Sequence, residues 1–301
     1  MDIIITALEL GLISSLTVLA LYLSYSMLNV CDLSTDGCFT LGAAVGAVTA
    51  LAGHPLLAVP AAMGAGLLSG LVTAVLQTYL GVPSLLAGIV VNTGLYSINI
   101  AIMGNTALLN LNKTDTVFTM ARSFTQGTFL GSQYKLTVIV FFVILVIVFL
   151  SFFLKTRLGL AIRATGDNRA MVRSSSINPY MTTIVGLCIS NSFTGLSGCL
   201  LAMYQRSANV TIGSGMVTIA LASLLIGNSF LSKTQSITIK AVGAVLGAFL
   251  FRLVYTVALR LNMPASMLRL VSAVIVVIAI SAPYLRDRFP EFKRRFENRR
   301  V

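Results

Sequence analysis

LTVIVFFVILVIVFLSFFL, residues 136–154, runs for nineteen residues without a charge. As a helix it is long enough to cross about 30 Å of hydrocarbon. The rest of the chain has the same character. Of its 301 residues, 56% are hydrophobic and only 10% charged, with a mean hydropathy of +0.92. A soluble domain carries about 25% charged residues. Unpaired backbone polar groups are costly in lipid, so a chain of this kind spans the membrane as helices. The expectation is an all-α, polytopic helical membrane protein of about 8–9 spans. The spans are read near 6–28, 36–53, 56–80, 84–104, 136–154, 180–204, 214–231, 238–259 and 266–284. The second is short and glycine-rich, which fits a re-entrant or broken helix. The first lacks a basic leader and a small-residue cleavage site, so it is read as retained.

C-terminal to residues 136–154 comes the longest hydrophilic break of the second half, KTRLGLAIRATGDNRAMVRSSSINP, residues 155–179. It holds five basic residues against one acid, Asp167. The segment 286–301 adds seven, and together these hold 12 of the 21 Lys and Arg. By the positive-inside rule both face the cytoplasm, and the four spans between them keep them on one side. The segment 105–135 then lies outside, and so does the N-terminus. The domain reading is one transmembrane domain, 1–285, with a cytoplasmic loop at 155–179, followed by a basic cytoplasmic tail at 286–301. Lys and Arg beside a last span meet water and anionic lipid, so the +12 charge is read as a topology signal rather than a nucleic-acid footprint.

The four cysteines, Cys31, Cys38, Cys188 and Cys199, match no zinc spacing, and the single histidine, His54, lies in a Gly-His-Pro turn. Neither points to a metal or a nucleophile. Asn112-Lys113-Thr114 fits a glycosylation sequon of the kind that arises by chance. Residues 227–234, GNSFLSKT, approach a phosphate-binding loop but carry Ser232 where the second glycine belongs and follow an apolar span, not a strand. The chain is therefore read as not an enzyme, with no cofactor of its own.

Two stretches resemble each other. Asp36–Ala43 is similar to Ser214–Leu221, and Asn29-Val30 to Asn209-Val210. Spans one to four then correspond to six to nine, with the fifth as an odd connector, which makes the second copy an inverted repeat. Small residues four apart, Gly66/Gly70 and Gly243/Gly247, suit close helix packing.

Polar residues inside spans are the candidates for a translocation pathway. Asn92, Tyr96 and Asn99 follow i, i+4, i+7 spacing and share a helical face. Ser190 and Asn191 cluster in the sixth span, and Arg252 sits in the eighth. The competing readings are interhelical hydrogen bonding for the Asn92, Tyr96 and Asn99 stripe, and an ion pair or a snorkelling side chain for Arg252. Glu9, Asp32 and Asp36 are the acids near the spans, too few for an obvious ion relay. An ion-coupled secondary transporter of a small polar solute remains the alternative reading.

The run Gly159–Asn168, followed by Ile177-Asn178, Gly186-Leu187, Ser190-Asn191 and Gly195–Gly198, resembles the membrane permeases of bacterial ATP-binding-cassette importers. The subgroup is that of the branched-chain amino acid and ribose permeases, and within it the single-permease systems associated with aromatic amino acids or left uncharacterised. Asp32-Leu33-Ser34 with Gly37, Phe39, Leu41 and Gly42, together with Gln205 and Gly213–Gly215, fits the same family, and the likeness covers about residues 10–285. At Gly227-Asn228 the chain departs from the acid that such permeases often carry after that glycine. The resemblance implies a bacterial cytoplasmic membrane and a small solute, an amino acid or a related compound. It implies a second copy of the permease, an extracytoplasmic substrate-binding protein, and two cytoplasmic ATPase subunits holding ATP and Mg. It also implies an ATPase-coupling helix from Arg163, Ala164, Thr165, Gly166, Asp167, Asn168, Arg169, Ala170 and Met171. There Gly166 is expected to turn the chain, and Asp167 or Asn168 to cap the short helix that follows.

Overall fold

A computed structural model describes residues 2–125, 133–230 and 236–260, with a few isolated positions between 270 and 281. The expected last span, 266–284, and the tail, 286–301, lie largely or wholly outside the described residues. Eleven helices are assigned among the described residues: α1 (Asp2–Leu21), α2 (Thr35–Leu51), α3 (Pro55–Thr78), α4 (Ser84–Ile102), α5 (Val117–Thr125), α6 (Tyr134–Phe153), α7 (Arg157–Asp167), α8 (Arg169–Ser174), α9 (Pro179–Gln205), α10 (Met216–Phe230) and α11 (Ile237–Arg260). A π-helical turn, Tyr22–Met27, prolongs α1. Six helices are long and apolar enough to cross a membrane, and α2 and α10 are shorter apolar helices.

The helix starts follow from local chemistry. Pro55 and Pro179 open α3 and α9, where a missing N–H is harmless. The Asn178 side chain accepts from the Tyr180 N–H at 2.9 Å. Thr156 caps α7 by accepting from Gly159 N–H at 3.2 Å.

Burial ranks the helices. α9 and the α1 span are the most enclosed, and α6 is the least. Phe141, Ile144, Leu145, Val148 and Phe152 are exposed on the outer face of α6. α9 is central, and hydrogen bonds fix its register. Ser190 donates to Ala20 O, Ser197 to Ile13 O, and the Tyr204 hydroxyl to Glu9 Oε2, each at 2.7 Å. As α9 advances its partners on α1 recede, so the two helices run antiparallel. Gly42 lies against Gly195 and Gly46 against Cys199, so α2 runs parallel to α9.

This register makes α2 a helix that begins inside the bundle. Its first turn is level with Asn191, about 18 Å along α9 from Pro179. The segment 28–34 re-enters to reach that level. α10 is the counterpart: residues 206–215 descend from the far end of α9 before the helix starts at Met216. Asn29 and Arg206 are both left-handed, with φ of 54° and 53°, and each sits where the preceding helix gives way to a re-entrant segment. α3 packs on α9 as α11 packs on α1, and α2 packs on α3 as α10 packs on α11. These pairings are the ones an inverted repeat would give.

The 105–135 segment holds α5, and its β1 (Leu108–Asn110) pairs antiparallel with β2 (Ser207–Asn209), Leu108 opposite Asn209. One detail departs from the sequence reading: Gly166 does not turn the chain. It lies within α7, where a Cβ would press on the Met27 carbonyl, so its role is close approach to the end of the π-helical turn. The break falls two residues later at the extended Asn168 (φ −156°, ψ 102°), whose side chain accepts from Ala170 and Met171 N–H at 3.0 and 3.1 Å.

Candidate functional site

The interior starts of α2 and α10 face each other, and Asp36 joins them. Its carboxylate accepts from Gly215 N–H at 2.9 Å and Val217 N–H at 2.8 Å. These amides lie at the opening of α10, where the helix dipole favours negative charge. Thr40, one turn further along α2, accepts from Gly213 N–H at 3.2 Å. The similar stretches Asp36–Ala43 and Ser214–Leu221 are thus in direct contact.

Beside this junction is a cavity of about 380 Å³, lined by Asp36, Thr40, Asn92, Tyr96, Asn99 and Ser214 among others. The whole sequence-predicted face of α4 lines it. Asn99 donates from Nδ2 to Gly37 O at 3.2 Å, and its Oδ1 is buried without a hydrogen-bond partner. Tyr96 is 54% exposed. The cavity therefore offers a carboxylate, hydroxyls and an aromatic ring, a set able to bind an ammonium group and an aromatic side chain.

Ser190 and Asn191 lie elsewhere, in the protein interior. Ser190 bonds to α1, and Asn191 donates from Nδ2 to Asp32 Oδ2 at 2.8 Å. Asp32 Oδ1 accepts from Ser34 N–H at 2.8 Å. Ser190 and Asn191 are both held by internal hydrogen bonds, and Asn191 secures the buried Asp32 of the 28–34 segment. We expect Asn191→Ala to destabilise the chain by about 2 kcal/mol, because a buried carboxylate loses a charge-assisted bond. Thermal unfolding of the detergent-solubilised protein would read this, and an unchanged midpoint would refute it.

Arg252 does not line the cavity. It packs against α1 beside Gly11, with its guanidinium 5.1 Å from the Tyr255 ring centre and its Nε buried and unpaired.

Sequence reasoning missed Asp36, Thr40 and Ser214 as cavity residues. A lone acid in a span reads as a cap or an ion pair, and its significance depends on amides about 180 residues away. The matched stretches were the available signal, since an inverted repeat brings equivalent positions together near its axis.

At the α7–α8 end, Thr165 is buried and shares a 2.8 Å hydrogen bond with Thr182 of α9. Ala161 and Ile162 are buried as well, so α7 is anchored to the bundle. Arg169, Ala170 and Met171 are exposed on α8, as is Asp167 at the end of α7. Arg163 and Ala164 are partly buried.

A helical bundle with two helices that start in its interior, and a polar cavity where they meet, is an architecture used by membrane transport proteins. The chain belongs to the branched-chain amino acid transport system / permease component family, whose model matches residues 3–280. It is 32% identical to the tyrosine transport system permease protein of Clostridioides difficile (strain R20291), over 91% of this chain and 89% of that protein. It is 29% identical to the uncharacterized protein RP368 of Rickettsia prowazekii (strain Madrid E), over 95% of this chain and all of that protein. No solved structure matches.

Proposed function

We propose that this chain is the permease of an ATP-binding-cassette importer that moves an amino acid or a related small solute across a bacterial cytoplasmic membrane. Solute would arrive from an extracytoplasmic binding protein, and ATP and Mg would be held by two ATPase subunits on the cytoplasmic side. The observation that carries this reading is the cavity at the facing starts of α2 and α10. Transporter sites lie where discontinuous helices meet near the bilayer midplane, at the interface between repeats.

The chemistry supports an amino acid. The Asp36 carboxylate suits an ammonium group, and Tyr96 presents a ring. The tyrosine permease relative is consistent with an aromatic side chain. α4 also carries exposed Leu85, Leu86, Ile89, Val90 and Ile98, an apolar face beside the open side of the cavity. A second copy on that face would complete the pathway. The expected cytoplasmic position of α8 makes its exposed residues the contact through which ATPase closure biases the two ends of the bundle.

The test is reconstitution of this chain with the ATPase and the binding protein encoded beside it, followed by uptake of radiolabelled aromatic and branched-chain amino acids. ATP-dependent uptake is expected. Asp36→Asn should lower it about tenfold, the scale of one lost hydrogen bond to a charged group, and Tyr96→Ala should lower it through the lost ring contact, while the complex still assembles. Uptake that proceeds without any ATPase, driven by an ion gradient, would instead establish the secondary-transporter alternative.

A further inference from the structure

A second cavity, of about 500 Å³, lies at the α7–α8 end, away from the solute cavity, where α8 meets the end of α3 and the start of α9. Gln77, Thr78, Arg169, Arg173, Tyr180 and Thr183 line it. Its volume is in the range of small-molecule sites.

Its charge is one-sided. No carboxylate lines it. Arg169 has neither an acid nor a hydrogen-bond partner among the described residues. Arg173 donates from Nη2 to the Tyr180 hydroxyl at 2.8 Å, and its guanidinium lies 5.4 Å from the same ring's centre. Arg173 is thereby held in place, and the Tyr180 hydroxyl keeps its own proton to donate. Gln77 Nε2 is buried and has no acceptor. The threonine hydroxyls already donate within their own helices, Thr78 to Ala74 O at 2.7 Å and Thr183 to Pro179 O at 2.8 Å. The pocket thus holds two guanidiniums, a phenol proton and an orphaned buried amide donor. That is the complement of an anion with several oxygens.

Its position narrows the anion. The Tyr79 and Tyr180 rings lie 6.3 Å apart at the mouth, and Tyr79 and Leu80 are exposed. Tyrosines of this kind mark the headgroup level of a bilayer. Basic pockets between spans on the cytoplasmic side take phosphate headgroups, and arginine forks match phosphate oxygens.

We infer that this pocket binds a phosphate group, supplied by the headgroup of an anionic phospholipid in the inner leaflet or by a soluble phosphate. Arg169 and Arg173 bind its oxygens, and Gln77 Nε2 takes one from the protein side. Because α3, α8 and α9 all contribute, an occupied pocket ties α8 to the bundle. Binding does not require the transport reading, although the choice of the inner leaflet rests on the orientation set by the basic segments.

The test uses the purified full-length chain in nanodiscs of phosphatidylglycerol and phosphatidylcholine, with retained lipid counted by native mass spectrometry. Preferential retention of phosphatidylglycerol is expected. It should fall about tenfold or more in the double variant Arg169→Gln/Arg173→Gln, the scale of lost charge-assisted contacts, and several-fold in Gln77→Leu. Arg157→Gln, exposed on the same loop but outside the pocket, should retain lipid like the wild type. In a second arm, inorganic phosphate is titrated in phosphatidylcholine nanodiscs. Saturable binding there that the double variant abolishes, without phosphatidylglycerol enrichment, supports the phosphate site and makes its source soluble. Retention indifferent to headgroup together with no phosphate binding would overturn the inference. So would anion binding unchanged in a double variant of normal helical content. A double variant that keeps its anions and loses only the ATPase would make the pocket a protein contact, and would also overturn it.

Discussion

Gly42→Leu yields no stable folded protein. The expectation comes from the α2–α9 seam, where the two helices approach backbone to backbone. A Cβ on Gly42 would lie well inside contact distance of the Gly195 carbonyl, and one on Gly198 would meet the Phe39 carbonyl. Neither obstacle is a side chain that can rotate away. The helices must separate, and the parting runs along the buried Cys38, Ala43 and Ala47. Overpacking a well-filled core costs about 1–3 kcal/mol. Here the displaced atoms are backbone on the most buried helix, so the penalty belongs at or above the top of that range. The control is Gly64→Leu: nothing lies within 4 Å of a Cβ there, although Gly64 sits in the same small-residue stretch as Gly66 and Gly70. The measurement is the monodisperse fraction and melting temperature of fluorescently tagged protein in detergent. A Gly42→Leu variant with wild-type melting would show that this seam opens without penalty.

The contrast between Gly64 and Gly66 shows what the sequence could and could not reveal. Helix existence was legible, because an uncharged run of nineteen residues has few other fates. Which glycines serve packing was not, because that depends on the facing helix. Gly66 meets Asn191 O, and Gly64 meets nothing. Gly166 misled for the same reason. Glycine beside Asp and Asn signals a turn, yet here the missing Cβ accommodates the Met27 carbonyl, contributed from residues 22–27 far earlier in the chain. Asn168 was readable because its partners, the Ala170 and Met171 amides, are local. In the cavity, the face of Asn92, Tyr96 and Asn99 followed from helical spacing alone. The opposing wall of Asp36, Thr40 and Ser214 did not, since it exists only once α10 is brought against α2. Ser190 and Asn191 have the polarity of site residues, and their use in holding α1 and Asp32 became visible only with the helix register.

The second large effect is expected at Met171. This residue is 54% exposed on α8, a six-residue helix held by the Asn168 cap, by α7 behind it and by the buried Val172. An unbranched, polarizable side chain on an anchored helix suits the apolar centre of a protein contact, and a charge placed there must be desolvated when the contact forms. If α8 is the surface that ATPase subunits grip, Met171→Glu should weaken their binding by about 2 kcal/mol or more, roughly thirtyfold. ATP-driven uptake should fall with it. Folding should not change, because the side chain makes no internal hydrogen bond and faces solvent. This separates the variant from Gly166→Pro, which would break α7 and displace the Met27 contact, so that lost ATPase binding would carry no information about the surface. The measurement pairs ATPase co-purification at graded salt with the melting temperature of the permease alone. Wild-type ATPase binding by Met171→Glu, with uptake intact, would remove α8 from the coupling path and leave the exposed Leu158 and Leu160 of α7 as the surface to probe next.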